Sequence, residues 1–115
     1  MQEFEKILSE IDASSTTISI SKACVNACGD LKAGLLLSFL LNPNGYVPTI
    51  IKDGYEWYVV LYTDWWLLCC LTESQARRAL KILEEKDYIV RRYYGHHYAR
   101  VTHIRLTEKC KEEFS

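Results

Sequence analysis

The sequence has few residues that break regular structure and no long apolar run. It contains two prolines and five glycines in 115 residues, which excludes collagen-like and low-complexity proteins. The longest apolar stretch, residues 33–41, is interrupted by Gly34 and Ser38 and is far shorter than the ~20 residues that span a bilayer. A chain of this length can bury one core but not two, so we predict a single domain with no membrane contact.

The first residues lack the basic start and apolar run of a secretory signal, because Met1 to Lys6 are acidic and polar. A soluble protein of the cytoplasm is therefore expected. In such a chain an odd number of cysteines favours free thiols that pack as small apolar side chains. Disulfide formation is left open for Cys24, Cys28, Cys69, Cys70 and Cys110.

The sequence also lacks the motifs of catalysis and cofactor binding. It has no nucleophile motif, no glycine-rich phosphate loop and no recognisable pair of carboxylates. Cys24 and Cys28 are four residues apart and could meet on a helix, but no second pair of zinc ligands accompanies them. We therefore predict no enzyme activity, no cofactor, no metal and no small-molecule ligand.

The net charge of −1 hides an uneven distribution. Residues 1–71 contain four Lys/Arg and eight Asp/Glu, whereas residues 72–111 contain ten Lys/Arg and five Asp/Glu. The first part therefore carries −4 and the second part +5. A local basic surface attracts a polyanion whatever the total charge of the molecule is.

Hydrophobic spacing predicts helices in the first half of the chain. Residues 4–11 have Phe4, Ile7, Leu8 and Ile11 at helical spacing. Residues 31–41 form an apolar core helix for which Asp30 is a good N-cap. Residues 17–21 alternate at period two and favour a strand, residues 22–28 are ambiguous, and residues 46–55 favour a loop or irregular strand.

The second half of the chain predicts a different mixture of elements. Residues 56–61 have the aromatic and β-branched density of a strand. Residues 65–70 are predicted to form a short helix. The sequence then predicts a helix over residues 73–86, strands over 88–94 and 97–106, and a final helix over 108–114. Trp57 and Trp65 are expected in the core; for Trp66 this is less expected, because adjacent helical residues cannot share one face.

The helix predicted for residues 73–86 has one apolar and one polar face. Thr72 and Gln75 fit a capping box at its start, and Ala76, Ala79, Leu80 and Leu83 share the apolar face. The small alanines allow close packing, and the polar face suits a major groove, which admits one helix. The candidate DNA contacts on and beside this helix are Thr72, Ser74, Gln75, Arg77, Arg78 and Lys81.

The hairpin predicted around Gly95 is rich in cations and aromatic residues, which suits contact with a phosphate backbone or a minor groove. Strand alternation places Arg91 and Arg92 on opposite faces, so the two cannot point at the same groove. The candidate DNA contacts on this hairpin are Arg91, Arg92, Tyr94, His96, His97 and Arg100.

The run from Trp57 to Ile89, with Leu71-Thr72-Glu73-Ser74-Gln75-Ala76-Arg77-Arg78-Ala79-Leu80 at its centre, resembles the winged-helix domains of phage and plasmid replication proteins. The family usually has glycine where this chain has Asp87. The resemblance covers residues 30–106 and implies an α+β winged helix-turn-helix with a three-helix core and a β-hairpin wing. Residues 1–29 would be an N-terminal extension with a short helix, and residues 107–115 a C-terminal helix.

The family resemblance implies sequence-specific binding of double-stranded DNA, by a transcription regulator or a replication-initiation factor of a phage, plasmid or other mobile element. Winged helices also serve as protein-interaction modules without DNA binding, and here the aromatic segment 46–66 and the N-terminal residues would form the apolar interface. A homodimer is compatible with both alternatives, since paired half-sites are common for helix-turn-helix proteins.

Overall fold

The computed structural model describes residues 17–43, 47–94 and 101–114. In these residues a sheet of four strands packs with five helices. In chain order the elements are α1 (Lys22–Cys28), α2 (Leu31–Leu41), β1 (Thr49–Lys52), β2 (Tyr55–Leu61), a 3₁₀ turn (Tyr62–Asp64), α3 (Trp65–Cys69), α4 (Glu73–Glu85), β3 (Ile89–Tyr94), β4 (Val101–Leu106) and α5 (Glu108–Phe114).

The four strands form one antiparallel sheet with the order β1-β2-β4-β3. A two-residue turn joins β1 to β2, and both of its residues have positive φ, 56° at Asp53 and 81° at Gly54. This conformation belongs to the tight hairpin turn that Asp-Gly favours, because its twist matches that of the strands. The central strands β2 and β4 bring together parts of the chain on either side of α3 and α4.

Helices α1 and α2 approach each other closely at a glycine. A Cβ atom on Gly34 would lie 2.6 Å from the Cα atom of Val25, so no larger residue fits without moving the α1 backbone. Gly29 ends α1 with a φ of 67°, and the Asp30 carboxylate accepts a hydrogen bond from the Ala33 amide at 2.9 Å to start α2. The two helices therefore form one tightly packed unit.

The main core lies between the helices and one face of the sheet. Val60 and Ile104 supply the sheet side. All five helices contribute fully or almost fully buried side chains to it, among them Cys24, Leu36, Trp65, Leu80 and Cys110. The α+β class is confirmed, but the predicted core of three helices is too small, because α1 and α5 also take part.

Most predicted elements are confirmed, and two predictions need correction. Residues 17–21 contain no strand: the Ser21 side chain accepts a hydrogen bond from the Cys24 amide and caps α1, while the Ser21 amide donates to Ser38 Oγ. Residues 49–52 form a regular strand, β1, where a loop or irregular strand was expected. The helix predicted for residues 4–11 and the turn at Gly95 lie outside the described residues.

Candidate nucleic-acid interface

Helix α4 is fixed at its first turn by the predicted capping box. The Thr72 hydroxyl accepts from the Gln75 amide at 3.2 Å, and the Thr72 amide donates to Gln75 Oε1 at 3.0 Å. The inward face of the helix, Ala76, Ala79, Leu80 and Leu83, is buried in the core. The cap and this buried face together determine which side of α4 meets solvent.

The outward face of α4 consists of Ser74, Arg78, Lys81 and Glu85, which follow one another at spacings of four, three and four residues. These spacings place them in one stripe along the helix, and all four are exposed. Within the described residues, neither Arg78 nor Lys81 has an ion-pair partner. Two cations are therefore presented to solvent about one helical turn apart.

The remaining predicted contacts on α4 already have intramolecular partners. Arg77 Nη2 lies 2.6 Å from Glu73 Oε1, one turn earlier on the helix. Thr72 and Gln75 are engaged in the capping box, and Gln75 uses its amide oxygen there. Because bonding to adenine uses both ends of a glutamine amide, Gln75 could read adenine in that way only by giving up its capping bond.

The two arginines of β3 lie on opposite faces of the sheet, as strand alternation predicts. Arg91 is opposite Ile104 on the core side, where its Nε and Nη2 donate to the two carboxylate oxygens of Glu84 at 3.2 and 3.0 Å. Its side chain is 13% exposed. Arg92 is opposite His103 on the other face of the sheet and is exposed.

The predicted wing residues beyond β3 are only partly described. Tyr94 is the last residue of β3, and its side chain is not among the described ones. His96, His97 and Arg100 lie outside the described residues. Of the predicted wing contacts, the structure therefore places the side chains of Arg91 and Arg92 alone.

A further cation beside the α4 stripe is absent from the sequence prediction. Lys32, in the first turn of α2, shares with Arg78 a concavity of about 330 Å³. Asp30, Ser74, Gln75 and Ala79 complete its lining. The Asp30 carboxylate is held by its capping bond to Ala33. No local pattern marks Lys32, because its proximity to Arg78 arises from the packing of α2 against α4.

The five cysteines are all free, so none of them forms a disulfide. Cys70 is exposed and the other four are buried. Burial raises the pKa of Cys69 to about 12 and that of Cys28 and Cys110 to about 11. In the part of the chain that the structure describes, no group of three or more potential ligand side chains could hold a metal ion.

Comparison of the chain with protein-family models, curated proteins and solved structures finds no match. The likeness to the winged helices of replication proteins therefore stays a prediction. Within residues 17–43, 47–94 and 101–114, no helix has the length and apolar character needed to cross a bilayer.

Proposed function

We propose that this protein binds double-stranded DNA as a winged-helix domain. Helix α4 lies in the major groove, and the hairpin of β3 and β4 lies beside it as the wing. The order of elements supports this arrangement: a short helix, a tight turn and a capped longer helix are followed by two antiparallel strands.

The observation that carries the proposal is the outward stripe of α4. Arg78 and Lys81 are exposed, lie on one face and have no ion-pair partner in the described part of the chain. Arginine can donate two hydrogen bonds to guanine, and lysine can neutralise a phosphate. Lys32 lies across the concavity from Arg78 and extends the positive surface to α2.

The outward stripe also contains a negative group. Glu85, the last residue of α4, is exposed on the same side as Lys81. A carboxylate facing phosphates is repulsive, so the N-terminal two thirds of α4 make the contacts and the C-terminal end stays clear of the backbone. The capped N-terminus, with its positive helix dipole, then points towards the DNA.

A salt titration of duplex binding tests this proposal. Affinity is expected to fall steeply with salt, with a slope of about 0.9 per neutralised phosphate. Arg78→Ala and Lys81→Ala should each weaken binding about tenfold. Lys81→Ala, which loses a phosphate contact, should also lower the slope by about one. Lys111→Ala, on α5, is the matched control and should leave the affinity unchanged. Absence of duplex binding at low salt would contradict the proposal.

The family resemblance also suggests a task within the cell. Regulation of transcription and initiation of replication in a phage, plasmid or other mobile element both require duplex binding, and both follow from the family resemblance rather than from geometry. Selection of bound fragments from a random duplex library, followed by sequencing, would show whether binding is specific. A palindromic consensus would further indicate a dimer, since half-sites mirror protein symmetry.

A second function, docking of a partner protein, is favoured by a separate observation. Trp66 and Leu67 on α3 are 61% and 83% exposed, and large exposed apolar side chains in adjacent positions are typical of interaction surfaces. If this is the main function, Trp66→Ser with Leu67→Ser should abolish self-association or partner binding in light scattering and pull-down. Arg78→Ala should then have no effect on either.

A further inference from the structure

The sheet has a second face, on the side opposite the main core. Val60 and Ile104 lie on the core side, so the residues next to them along each strand lie on the other side. The pairing registers align these positions across the four strands. We call this surface the outer sheet face and define it by Lys52, Tyr55, Trp57, Arg92, His103 and Arg105.

The outer sheet face is positively charged. Among the described strand residues the one carboxylate, Glu56, alternates to the core side, whereas three cations, Lys52, Arg92 and Arg105, lie on the outer face. Arg92 is opposite His103, and Arg105 lies two residues further along β4. Diagonal neighbours of this kind are ~7–8 Å apart. Cations this close together, on a face whose described strand positions hold no acid, attract a polyanion.

An exposed aromatic ring lies beside one of these cations. The Arg105 guanidinium is 4.0 Å from the centre of the Tyr55 ring and 5.4 Å from that of Trp57. Trp57 is 5% exposed, and its indole N–H donates to the Lys52 carbonyl at 3.0 Å. Tyr55 is 46% exposed. Trp57 and Arg105 therefore support the Tyr55 ring from one side and leave much of it open to a ligand.

The occupant of this face has to match both the cations and the open ring. Single-stranded nucleic acid does so, because its phosphates attract lysine and arginine while its unpaired bases stack on aromatic rings and guanidinium planes. Duplex DNA keeps its bases inside the helical stack, where a side chain on a sheet cannot reach their flat faces. Two copies of this face would repel each other.

We propose that the outer sheet face binds single-stranded DNA, with a base stacked on Tyr55 and the backbone neutralised by Arg92 and Arg105. Helix α4 packs on the core side of the sheet, so its outward stripe is a separate surface. Stacking on the sheet does not depend on duplex binding by α4. The choice of DNA as the polymer rests on the proposed function.

Fluorescence anisotropy of a labelled oligo(dT) of about 12 nucleotides, a length that one small domain can cover, tests the proposal with the full-length chain. Tyr55→Leu removes the ring but keeps an apolar side chain, and should weaken binding about tenfold. Tyr55→Phe keeps the ring and should bind like the parent. Tyr93→Leu is the matched control, because Tyr93 is 49% exposed but lies on the core side of β3.

Arg92→Ala tests the backbone contact. It should lower the slope of log affinity against log salt by about 0.7, the value for one phosphate of a single strand. Far-UV circular dichroism checks the fold of each variant, and Arg92→Ala takes the place of Tyr55→Leu if the latter does not fold. An unchanged slope in folded Arg92→Ala would overturn the backbone contact and with it the proposal.

Duplex titrations of the same samples separate this proposal from that for α4. Tyr55→Leu should leave duplex affinity unchanged, and Arg78→Ala should leave oligo(dT) affinity unchanged. If the parent binds oligo(dT) but no duplex, the α4 proposal fails and this one stands. If folded Tyr55→Leu binds oligo(dT) like the parent, this one fails.

Two competitors distinguish other occupants of the outer sheet face. Oligo(U) of the same length should compete no better than unlabelled oligo(dT), and tighter binding of oligo(U) would overturn the assignment to DNA. Polyglutamate carries charge but no bases, so it should compete far less well. Equal competition by polyglutamate would overturn the proposal, because an acidic protein would then fit the face as well as a nucleic acid.

Discussion

The two faces of α4 are built from the same thirteen residues but serve different purposes. The inward face is made of alanines and leucines, and all four are buried. The outward face carries a serine, two cations and a carboxylate, and all four are exposed. The inward face determines how the helix is placed, whereas the outward face determines what it can touch. Substitutions on the two faces should therefore change different measured quantities.

The largest expected effect concerns the inward face. Leu83 is fully buried in the core cluster, so Leu83→Ala should lower the free energy of unfolding by about 3 kcal/mol through lost burial and the cavity left behind. Urea unfolding measures this loss. Lys81→Ala, two residues earlier and on the outward face, should change it by less than ~0.5 kcal/mol. Similar losses in the two variants would remove the distinction between the faces.

The same contrast recurs at two adjacent thiols just before α4. Cys69 is buried and its pKa is raised to about 12, whereas Cys70 is exposed. A thiol with a raised pKa stays neutral in the folded state and ionises more readily when unfolded. Its contribution to stability is constant below pH 9 and is lost between pH 9 and about 12.

The predicted loss between pH 8 and pH 10 is about 1 kcal/mol for each of the three buried thiols with raised pKa values. Urea midpoints at the two pH values measure it. Cys69→Ala should remove about one third of the thiol-dependent loss, because one of three such groups is then missing. Cys70→Ala should leave the loss of stability unchanged. An equal effect of both variants would contradict the assignment of this loss to the buried thiols.

The smallest expected effect concerns the negative end of the outward face. Glu85→Gln removes a charge that opposes the phosphates and should tighten duplex binding about threefold at low salt. The gain should disappear as salt is raised. Glu112→Gln, on α5, is the control and should bind like the parent. Weaker binding by the Glu85 variant would mean that the outward face does not meet the DNA.

Local patterns predicted much of this structure. The capping box of Thr72 and Gln75 is confirmed, as are the Asp53-Gly54 turn and the burial of Trp57 and Trp65. Asp87 has a φ of 63°, the left-handed conformation expected where a glycine is usual. All of these depend on neighbours within a few residues or on a strong apolar pattern.

Features that depend on distant parts of the chain could not be predicted. The pairing of Arg91 with Glu84 and the proximity of Lys32 to Arg78 follow from the packing of whole elements. The strand expected over residues 17–21 was wrong because the Ser21 side chain caps α1 and so starts a helix there. A period-two pattern cannot show that such a cap competes with strand pairing.

The two hydrogen bonds between Arg91 and Glu84 have a consequence for the cost of recognition. They connect β3 to the last turn of α4 and so fix the angle between helix and hairpin before any ligand arrives. A binding surface whose parts are already oriented loses less conformational entropy on association. Arg91, one of the predicted DNA contacts on the hairpin, contributes instead by holding the surface in a fixed shape.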